Sequence, residues 1–211
     1  MMPGQFVEIR VDDTPATLLR RPISIHYIDR ERNELWILVL PVGEGTRRMA
    51  RYKKGEYMNI MLPLGNSFTI PSDKALQTKD LLLVGGGVGA APMLYLGEAL
   101  REAGFTPSFL IGARTADGIV QQMEYAKFGE LYVSTEDGSM GERGFVTDHT
   151  VWKSRSFGWI YACGPKPMMM AVAKGARKMG APCEVSLENM MGCGIGACLC
   201  CVEDTIDAGR V

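Results

Sequence analysis

The sequence predicts an α+β protein of several domains: a small antiparallel β-barrel, then an α/β domain with a parallel sheet, then a short cysteine-rich segment. Short strand-like runs separated by glycine and proline fill residues 1–75, which is typical of small barrels. Strand and helix patterns alternate over residues 76–182, which favours a parallel sheet. Four of the six cysteines lie between Cys193 and Cys201, in the last segment, residues 183–211.

The elements of the first two domains follow from hydrophobic periodicity, because strands alternate with period two and helices with a period of about 3.6 residues. The predicted barrel strands are residues 6–11, 23–28, 35–40 and 57–62. The predicted strands of the α/β domain are residues 81–84, 107–112, 130–135 and 158–163, with helices over 93–103 and 166–179. Residues 71–74 are the expected linker.

Composition excludes several classes of protein. The 211 residues carry a formal net charge of -1, whereas a non-specific nucleic-acid binder needs a basic excess. Hydrophobic residues at 46% and charged residues at 22% are typical of globular chains. The N-terminus has no export signal, and the longest apolar stretch, residues 81–94, is too short to cross a membrane. We therefore expect a reducing, cytoplasmic location and thiols or metal ligands in place of disulfides.

The cysteine-rich segment contains a C-x4-C-x2-C motif formed by Cys193, Cys198 and Cys201. This spacing is typical of plant-type [2Fe–2S] ligands, and the glycines beside the cysteines let the backbone approach a cluster closely. A fourth ligand is not apparent, since Cys200 is adjacent to Cys201 and is not expected to complete the site. A zinc knuckle and buried structural thiols are the alternatives.

The glycine-rich stretch at residues 85–92 lies between a predicted strand and a predicted helix. Backbone N–H groups at such a place can bind a pyrophosphate, although a tight strand–helix turn is the structural alternative. The acidic residue of ordinary dinucleotide sites is missing after the next strand, where residues 112–114 stand instead. Cys163 ends the fourth strand, where it either lines a nicotinamide pocket or is a small buried residue.

Two further motifs lie in the barrel. Arg21 opens the run Arg-Pro-Ile-Ser and offers a fork of donors for a phosphate, and Ser24 can bond a ring edge. Gly45 and Thr46 end a Gly-Glu-Gly-Thr turn that suits a pyrophosphate. A solvated basic face is the alternative reading of the arginines. A barrel, a phosphate-binding arginine and a Gly-Thr turn together favour a flavin site.

These motifs together resemble one family over nearly the whole chain. The matching stretches are residues 3–7, 19–25, 43–46, 62–66, 85–92, 135–139, 163–165 and 193–198. The chain resembles the electron-transfer subunits of the NAD-dependent, heterotetrameric dihydroorotate dehydrogenases, within the ferredoxin-reductase superfamily. Relative to that family we expect the first strands of the barrel and the end of the cysteine segment, with its fourth cluster cysteine, to be missing.

The resemblance implies cofactors and their sites. It implies a [2Fe–2S] cluster on Cys193, Cys198 and Cys201, and NAD at the glycine loop and Cys163. The glycines implied in the NAD site are Gly86, Gly87 and Gly89. The residues implied for FAD are Arg21, Pro22, Ile23, Ser24, Leu38, Val39, Leu40, Gly45 and Thr46.

The resemblance also implies a reaction and a partner. Dihydroorotate is oxidised by FMN on a catalytic subunit, in a heterotetramer of two copies of each subunit, as a step of pyrimidine biosynthesis. Electrons then pass through the iron–sulfur centre and FAD to NAD+. The alternatives are a flavin and iron–sulfur subunit of a NADH-dependent ferredoxin:NADP oxidoreductase or of a cytosolic hydrogenase, and a non-catalytic assembly subunit.

Overall fold

The structure, a computed structural model, describes residues 1–12, 14, 17–72, 76, 80–205 and 209–210. Residues 73 and 74 of the predicted linker lie outside this range. An antiparallel sheet comes first and a parallel sheet second, which confirms the predicted order of the two architectures. Within the described part of the chain, no helix is long and apolar enough to cross a membrane.

The first sheet has four antiparallel strands in the order β3-β2-β1-β4, and a short helix, α1 (Glu44–Met49), follows β3. Alternate side chains of the central strands form its core, where Val7, Ile9 and Ile25 are fully buried. The strands are β1 (Phe6–Arg10), β2 (Arg21–Asp29), β3 (Glu34–Ile37) and β4 (Asn59–Leu64).

The predicted strand over residues 35–40 is shorter in the structure, and this corrects its second half. β3 ends at Ile37, so Leu38, Val39 and Leu40 lie after the strand and not within it. The N–H of Val42 donates to the carbonyl of Leu40 at 2.9 Å. This tight bend turns the chain away from the sheet towards α1, and apolar character alone did not reveal it.

The second sheet has six strands, all parallel, in the order β10-β9-β5-β6-β7-β8. The strands are β5 (Asp80–Gly86), β6 (Thr106–Ala113), β7 (Glu130–Thr135), β8 (Glu142–Arg143), β9 (Phe157–Cys163) and β10 (Cys183–Ser186). The helices are α2 (Ala91–Glu102), α3 (Gln122–Phe128), α4 (Val151–Ser154) and α5 (Lys166–Met179).

The surroundings of strand β5 explain why strands of this sheet are continuous apolar runs in the sequence. Leu81 and Leu83 pack on one face, with α2 and α3, while Leu82 and Val84 pack on the other, with α5. A parallel sheet covered by helices on both faces buries every side chain of its central strands. The run at residues 81–84 therefore predicted the strand correctly.

The parallel sheet extends beyond residue 182, where the sequence places the end of the nucleotide-binding domain. Strand β10 pairs with β9 in parallel, with Cys183 opposite Ile160 and Ser186 opposite Cys163. The last described strands, β11 (Asp204–Thr205) and β12 (Gly209–Arg210), form a small antiparallel pair after the cysteine motif. The start of the third segment is thus part of the second sheet.

The two sheets are joined by side chains of the second that pack on the first. Tyr95 of α2 belongs to the apolar core of the first sheet. The hydroxyl of Tyr161 on β9 donates to the carbonyl of Thr69 at 2.7 Å, and that of Tyr27 on β2 donates to Glu98 on α2 at 2.5 Å. These contacts hold the loops at the ends of both sheets in fixed proximity.

Candidate functional site

The crevice of the second sheet lies between β5 and β9, where the strand order reverses. Chain order runs outward from β5 through β6 and β7 on one side, and through β9 and β10 on the other. Ligands of open parallel sheets bind at such a switch point, beyond the carboxyl ends of the strands. A Cβ on Gly89 would lie 2.5 Å from the carbonyl oxygen of Cys163, so the glycine turn and the end of β9 are in direct contact.

The three glycines expected to bind NAD have different surroundings. A Cβ on Gly86 would lie 2.3 Å from the sulfur of Met168, and one on Gly89 would strike Cys163 and Gly164. These two positions need glycine for packing of the protein on itself. Gly87 has φ +56 and open space around its missing side chain, which makes it the member of the three with room for a ligand.

Cys163 ends β9 as the sequence predicts, and it is almost completely buried, at 1% exposure. Burial raises the pKa of its thiol to about 12, and the negative charge of Glu188 adds to this, against a hydrogen bond from Ser186. The thiol is therefore protonated at neutral pH. Ser186 and Glu188 come from β10 and the residues after it, and sequence reasoning missed both because no local motif marks them.

The loops after β6 and β7 form a hydrogen-bonded rim beside the crevice. The N–H of Asp137 donates to the carbonyl of Arg114 at 3.2 Å, and that of Ala116 donates to the hydroxyl of Ser139 at 2.8 Å. Two hydrogen bonds from Ser139 lower the pKa of Asp137. Acidic residues thus reach this rim from the third strand of the domain, although none follows the second strand.

In the first sheet, the structure brings the two predicted phosphate-binding motifs together. A Cβ on Gly45 would lie 3.1 Å from Nε of Arg21, so the arginine side chain covers the start of α1. Arg21 Nη1 donates to the carbonyl of Leu19 at 2.6 Å, and the N–H of Gly43 donates to Thr46 Oγ1 at 3.0 Å. Both motifs are held by local bonds in the place where they meet.

The remaining residues expected to bind flavin lie along β2 or after β3. Pro22, Ile23 and Ser24 follow Arg21 in β2, where they pair with successive residues of β1. Leu40 is about half exposed, whereas Ile23 packs against the core of the first sheet. The structure therefore places the Arg-Pro-Ile-Ser run and the Gly-Glu-Gly-Thr turn together, and residues 38–40 after the end of β3.

The cysteine loop, residues 192–201, surrounds one of its thiols with donors. Cys193 Sγ accepts hydrogen bonds from the N–H groups of Ala197 at 3.3 Å and Cys198 at 3.4 Å. Hydrogen bonds from the amides of Cys198, Ile195 and Ala197 and from the Cys198 thiol lower the pKa of Cys193 to about 6, which favours its thiolate form. Gly194 and Gly196 adopt φ +68 and +79, a conformation that lets the loop turn its amides inward.

The other cysteines of the loop differ from Cys193. Cys198 and Cys200 are exposed, and the carbonyl of Cys201 accepts a hydrogen bond from Asn189 at 3.0 Å. The thiol of Cys200 donates to the carbonyl of Met190. In the described ranges, no three His, Cys, Asp or Glu side chains are placed to hold a single metal ion.

Comparison with known proteins agrees with this arrangement. Residues 83–174 match the model of the oxidoreductase NAD-binding domain. A solved NADH-dependent reduced ferredoxin–NADP oxidoreductase superposes with a TM-score of 0.86 at 32% identity, covering 100% of this chain and 74% of that one. The cytochrome b5 reductase domain of Ulva prolifera nitrate reductase superposes with a TM-score of 0.68 at 18% identity, covering 87% and 85%.

Curated relatives show the family. The electron transfer subunit of dihydroorotate dehydrogenase B (NAD(+)) from Shouchella clausii is 40% identical over 95% of this chain and 76% of its own length. The subunit of the same description from Fusobacterium nucleatum is 44% identical over 95% of this chain and 77% of its own length. The fold and the matched domain support binding of a flavin and of NAD. The chain therefore belongs to the family of electron-transfer subunits of NAD+-dependent dihydroorotate dehydrogenase B.

Proposed function

We propose that this chain takes electrons released by dihydroorotate oxidation on a partner subunit and passes them through a [2Fe–2S] cluster and FAD to NAD+. Residues 1–75 would hold FAD, residues 76–182 NAD, and residues 183–211 the cluster. The observation that carries the proposal is the contact between Gly194 of the cysteine loop and Glu8 of β1. Through this contact the residue that follows Cys193 lies against β1, which pairs with the strand that carries Arg21.

The first sheet fits the diphosphate of FAD through its donors. Arg21 lies against Gly45 at the start of α1, so its guanidinium is next to the Gly-Glu-Gly-Thr turn. An anion there would gain charge-assisted hydrogen bonds. When bound, FAD and the cluster together supply the exchange between one-electron transfer and the two-electron reduction of NAD+.

The crevice between β5 and β9 suits NAD because Gly87 leaves open space there and the thiol of Cys163 carries no charge. Gly87 offers open backbone for a diphosphate, and Cys163 presents a protonated thiol at the end of β9. A neutral, buried thiol exchanges no proton at physiological pH. Its role is to exclude water and to leave room for a flat ring.

The cysteine loop fits a [2Fe–2S] cluster through the chemistry of its donors. Cys193, Cys198 and Cys201 supply thiolates at the plant-type spacing. The amides that bond Cys193 stabilise negative charge on sulfur, which cluster ligands require. Apolar side chains around the loop are exposed, Met190 at 87% and Leu199 at 64%. An FMN-containing catalytic subunit would cover them, two copies of each chain forming the complex.

Arg21→Ala tests the flavin site. The variant removes charge-assisted bonds that are worth about 1.5–3 kcal/mol, so FAD should bind roughly ten- to hundredfold more weakly. Fluorescence titration of flavin-free protein with FAD measures this change. Arg32→Ala is the matched control, because Arg32 is exposed on the β2–β3 turn and pairs with Asp29. Equal FAD affinity in both variants would remove Arg21 from the site.

The ferredoxin:NADP alternative shares the fold, so the identity of the partner subunit distinguishes it from the family function. The full complex with its dihydroorotate-oxidising subunit should reduce NAD+ with dihydroorotate, and Cys198→Ser should stop this while FAD stays bound. Reduction of ferredoxin by NADH without response to dihydroorotate would favour the alternative. A protein that binds neither flavin nor iron would favour the assembly subunit.

A further inference from the structure

Glu8 is a buried carboxyl group for which the proposed electron path has no use. Its exposure is 1%, and within the described residues neither carboxyl oxygen has a hydrogen-bond partner. Burying a polar group without a partner costs free energy, and the cost is larger for a charged one. A leucine in the same place would avoid that cost, so stability alone does not account for a glutamate here.

The position of Glu8 on β1 directs it away from the core of the first sheet. Its neighbours Val7 and Ile9 are fully buried in that core, and successive side chains of a strand point to opposite faces. Glu8 lies opposite Pro22 of β2 and Met61 of β4. It therefore faces outward between the strand of the flavin motif and the last strand of the sheet.

The cysteine loop covers this outward face. A Cβ on Gly194 would lie 2.8 Å from Cγ and 3.1 Å from Oε1 of Glu8. Gly194 directly follows Cys193, and the amides of Ala197 and Cys198 are bonded to that thiolate. The glutamate side chain thus lies directly beneath the turn that presents the first proposed cluster ligand. The close approach also explains why residue 194 has no side chain.

The charged neighbours of Glu8 do not supply the missing partner. Arg20 and Arg21 favour its charged form through space, but burial outweighs them and raises the pKa of the carboxyl. Arg20 Nη1 donates to the backbone carbonyl of Glu8 at 3.3 Å and to that of Asn59, not to the carboxyl. Gly194 is then the residue of the cysteine loop that lies directly against the Glu8 side chain.

We propose that Glu8 is the positioning residue of the cysteine loop. Its side chain supports Gly194 against β1, and this contact sets the separation between Cys193 and the flavin strand β2. The inference rests on the proposed cluster site and adds to it the residue that connects the loop to the flavin half. Since neither carboxyl oxygen has a hydrogen-bond partner among the described residues, the support comes from packing of the linear side chain against Gly194.

Two variants of the full chain test whether Glu8 positions the cysteine loop. Glu8→Leu replaces the linear side chain beneath Gly194 with a branched, apolar one, whereas Glu8→Gln keeps its shape and its polarity. Hydrogen exchange at the amides of Ala197 and Cys198 reports the order of the loop. In Glu8→Leu these amides should exchange at least about tenfold faster, which corresponds to the loss of about 1.4 kcal/mol. Glu8→Gln should retain most of the protection.

Thermal unfolding of the same variants distinguishes positioning from general damage. Glu8→Leu should unfold at the same temperature as the parent or higher, because it removes an unpaired buried polar group. Ser134→Ala is the matched control: its hydroxyl is also buried and has no partner among the described residues, but it lies on β7 of the second sheet. That variant should leave loop exchange unchanged.

Iron loading completes the test. After reconstitution with iron and sulfide, Glu8→Leu should lose iron faster in air than the parent and Glu8→Gln, with a changed circular dichroism of the cluster. Unchanged loop exchange in Glu8→Leu overturns the inference. Weaker FAD binding with unchanged loop exchange also overturns it, and assigns the carboxyl to the flavin. If the parent binds no iron, the proposed cluster fails, while the exchange result still decides the role of Glu8.

Discussion

At the scale of single residues, two cysteines of this chain have opposite chemistry. Cys193 accepts two backbone hydrogen bonds, and the pKa of its thiol falls to about 6, whereas burial raises the pKa of Cys163 to about 12. An ordinary thiol lies between these values. The first cysteine favours the thiolate form, which is the form that metals bind, and the second stays neutral at the end of β9.

Alkylation of the cluster-free chain tests this contrast. Because the thiolate is the reactive form, Cys193 should react with iodoacetamide at pH 7, and its rate should fall as the pH drops through about 6. Cys163 should stay unmodified in the folded protein and react after unfolding. Mass spectrometry of peptides measures both. An inflection of the Cys193 rate near the ordinary pKa of about 8.5 would contradict the role of its hydrogen bonds.

The glycines show what could not be read from the sequence at this scale. Gly86, Gly87 and Gly89 stand in one motif, and all three were predicted to bind NAD. The structure gives Gly86 and Gly89 contacts with the protein itself, and leaves open space at Gly87. Local pattern marks a glycine-rich turn, but only the neighbours that arrive from β9 and α5 decide which glycine has open space around it.

At the scale of elements, the two long helices were easier to predict than the strand ends, whereas the short helices α1, α3 and α4 were missed. Helix α5 spans Lys166–Met179 as predicted, since Pro167 suits the first turn and Gly180 adopts φ +69 after the last. Strand β3 stops before the predicted end because of a bend at Leu40. Strand β10 was missed, because four residues without a clear pattern become a strand only by pairing with β9.

A pair of helix glycines tests how closely α2 packs on the sheet. A Cβ on Gly97 would lie 2.2 Å from the buried ring of Phe109, whereas one on Gly175 would lie 3.4 Å from Trp152, an ordinary contact. Gly97→Ala should destabilise the fold by about 1–3 kcal/mol through overpacking. Gly175→Ala should stabilise it by up to about 1 kcal/mol through helix propensity.

Denaturant unfolding measures both helix variants. For a chain of this size, each kcal/mol also corresponds to a shift of roughly 2–4 °C in the melting temperature. Opposite signs are expected for the two substitutions. A neutral Gly97→Ala would mean that the α2–β6 packing is looser than the distance to Phe109 indicates.

At the scale of the whole molecule, the two sheets depend on each other. Tyr95 of α2 completes the core of the first sheet, and Tyr161 stacks edge-on against Phe68 while its hydroxyl bonds Thr69. Electron transfer between cofactors held by different segments requires this fixed arrangement. The chain is therefore expected to unfold as one cooperative unit and not as two domains.

Single-tryptophan variants test this cooperativity. Trp36 of β3 reports the first sheet and Trp159 of β9 reports the second, so both fluorescence signals should change at the same temperature. Tyr161→Phe removes one interdomain hydrogen bond of about 1 kcal/mol and should lower both midpoints together. Two separate transitions, or a change confined to Trp159, would show that the sheets unfold independently.

The sequence by itself determined the order of the two sheets, most of their elements and the motifs that mark the family. Periodicity, cysteine spacing and glycine-rich turns are local properties, so they can be recognised from the sequence alone. Tertiary structure alone decided that Arg21 meets Gly45, that Cys163 is buried beside Ser186, and that Glu8 supports Gly194. Each of these contacts joins residues distant in sequence, and only the packing of the folded chain brings them together.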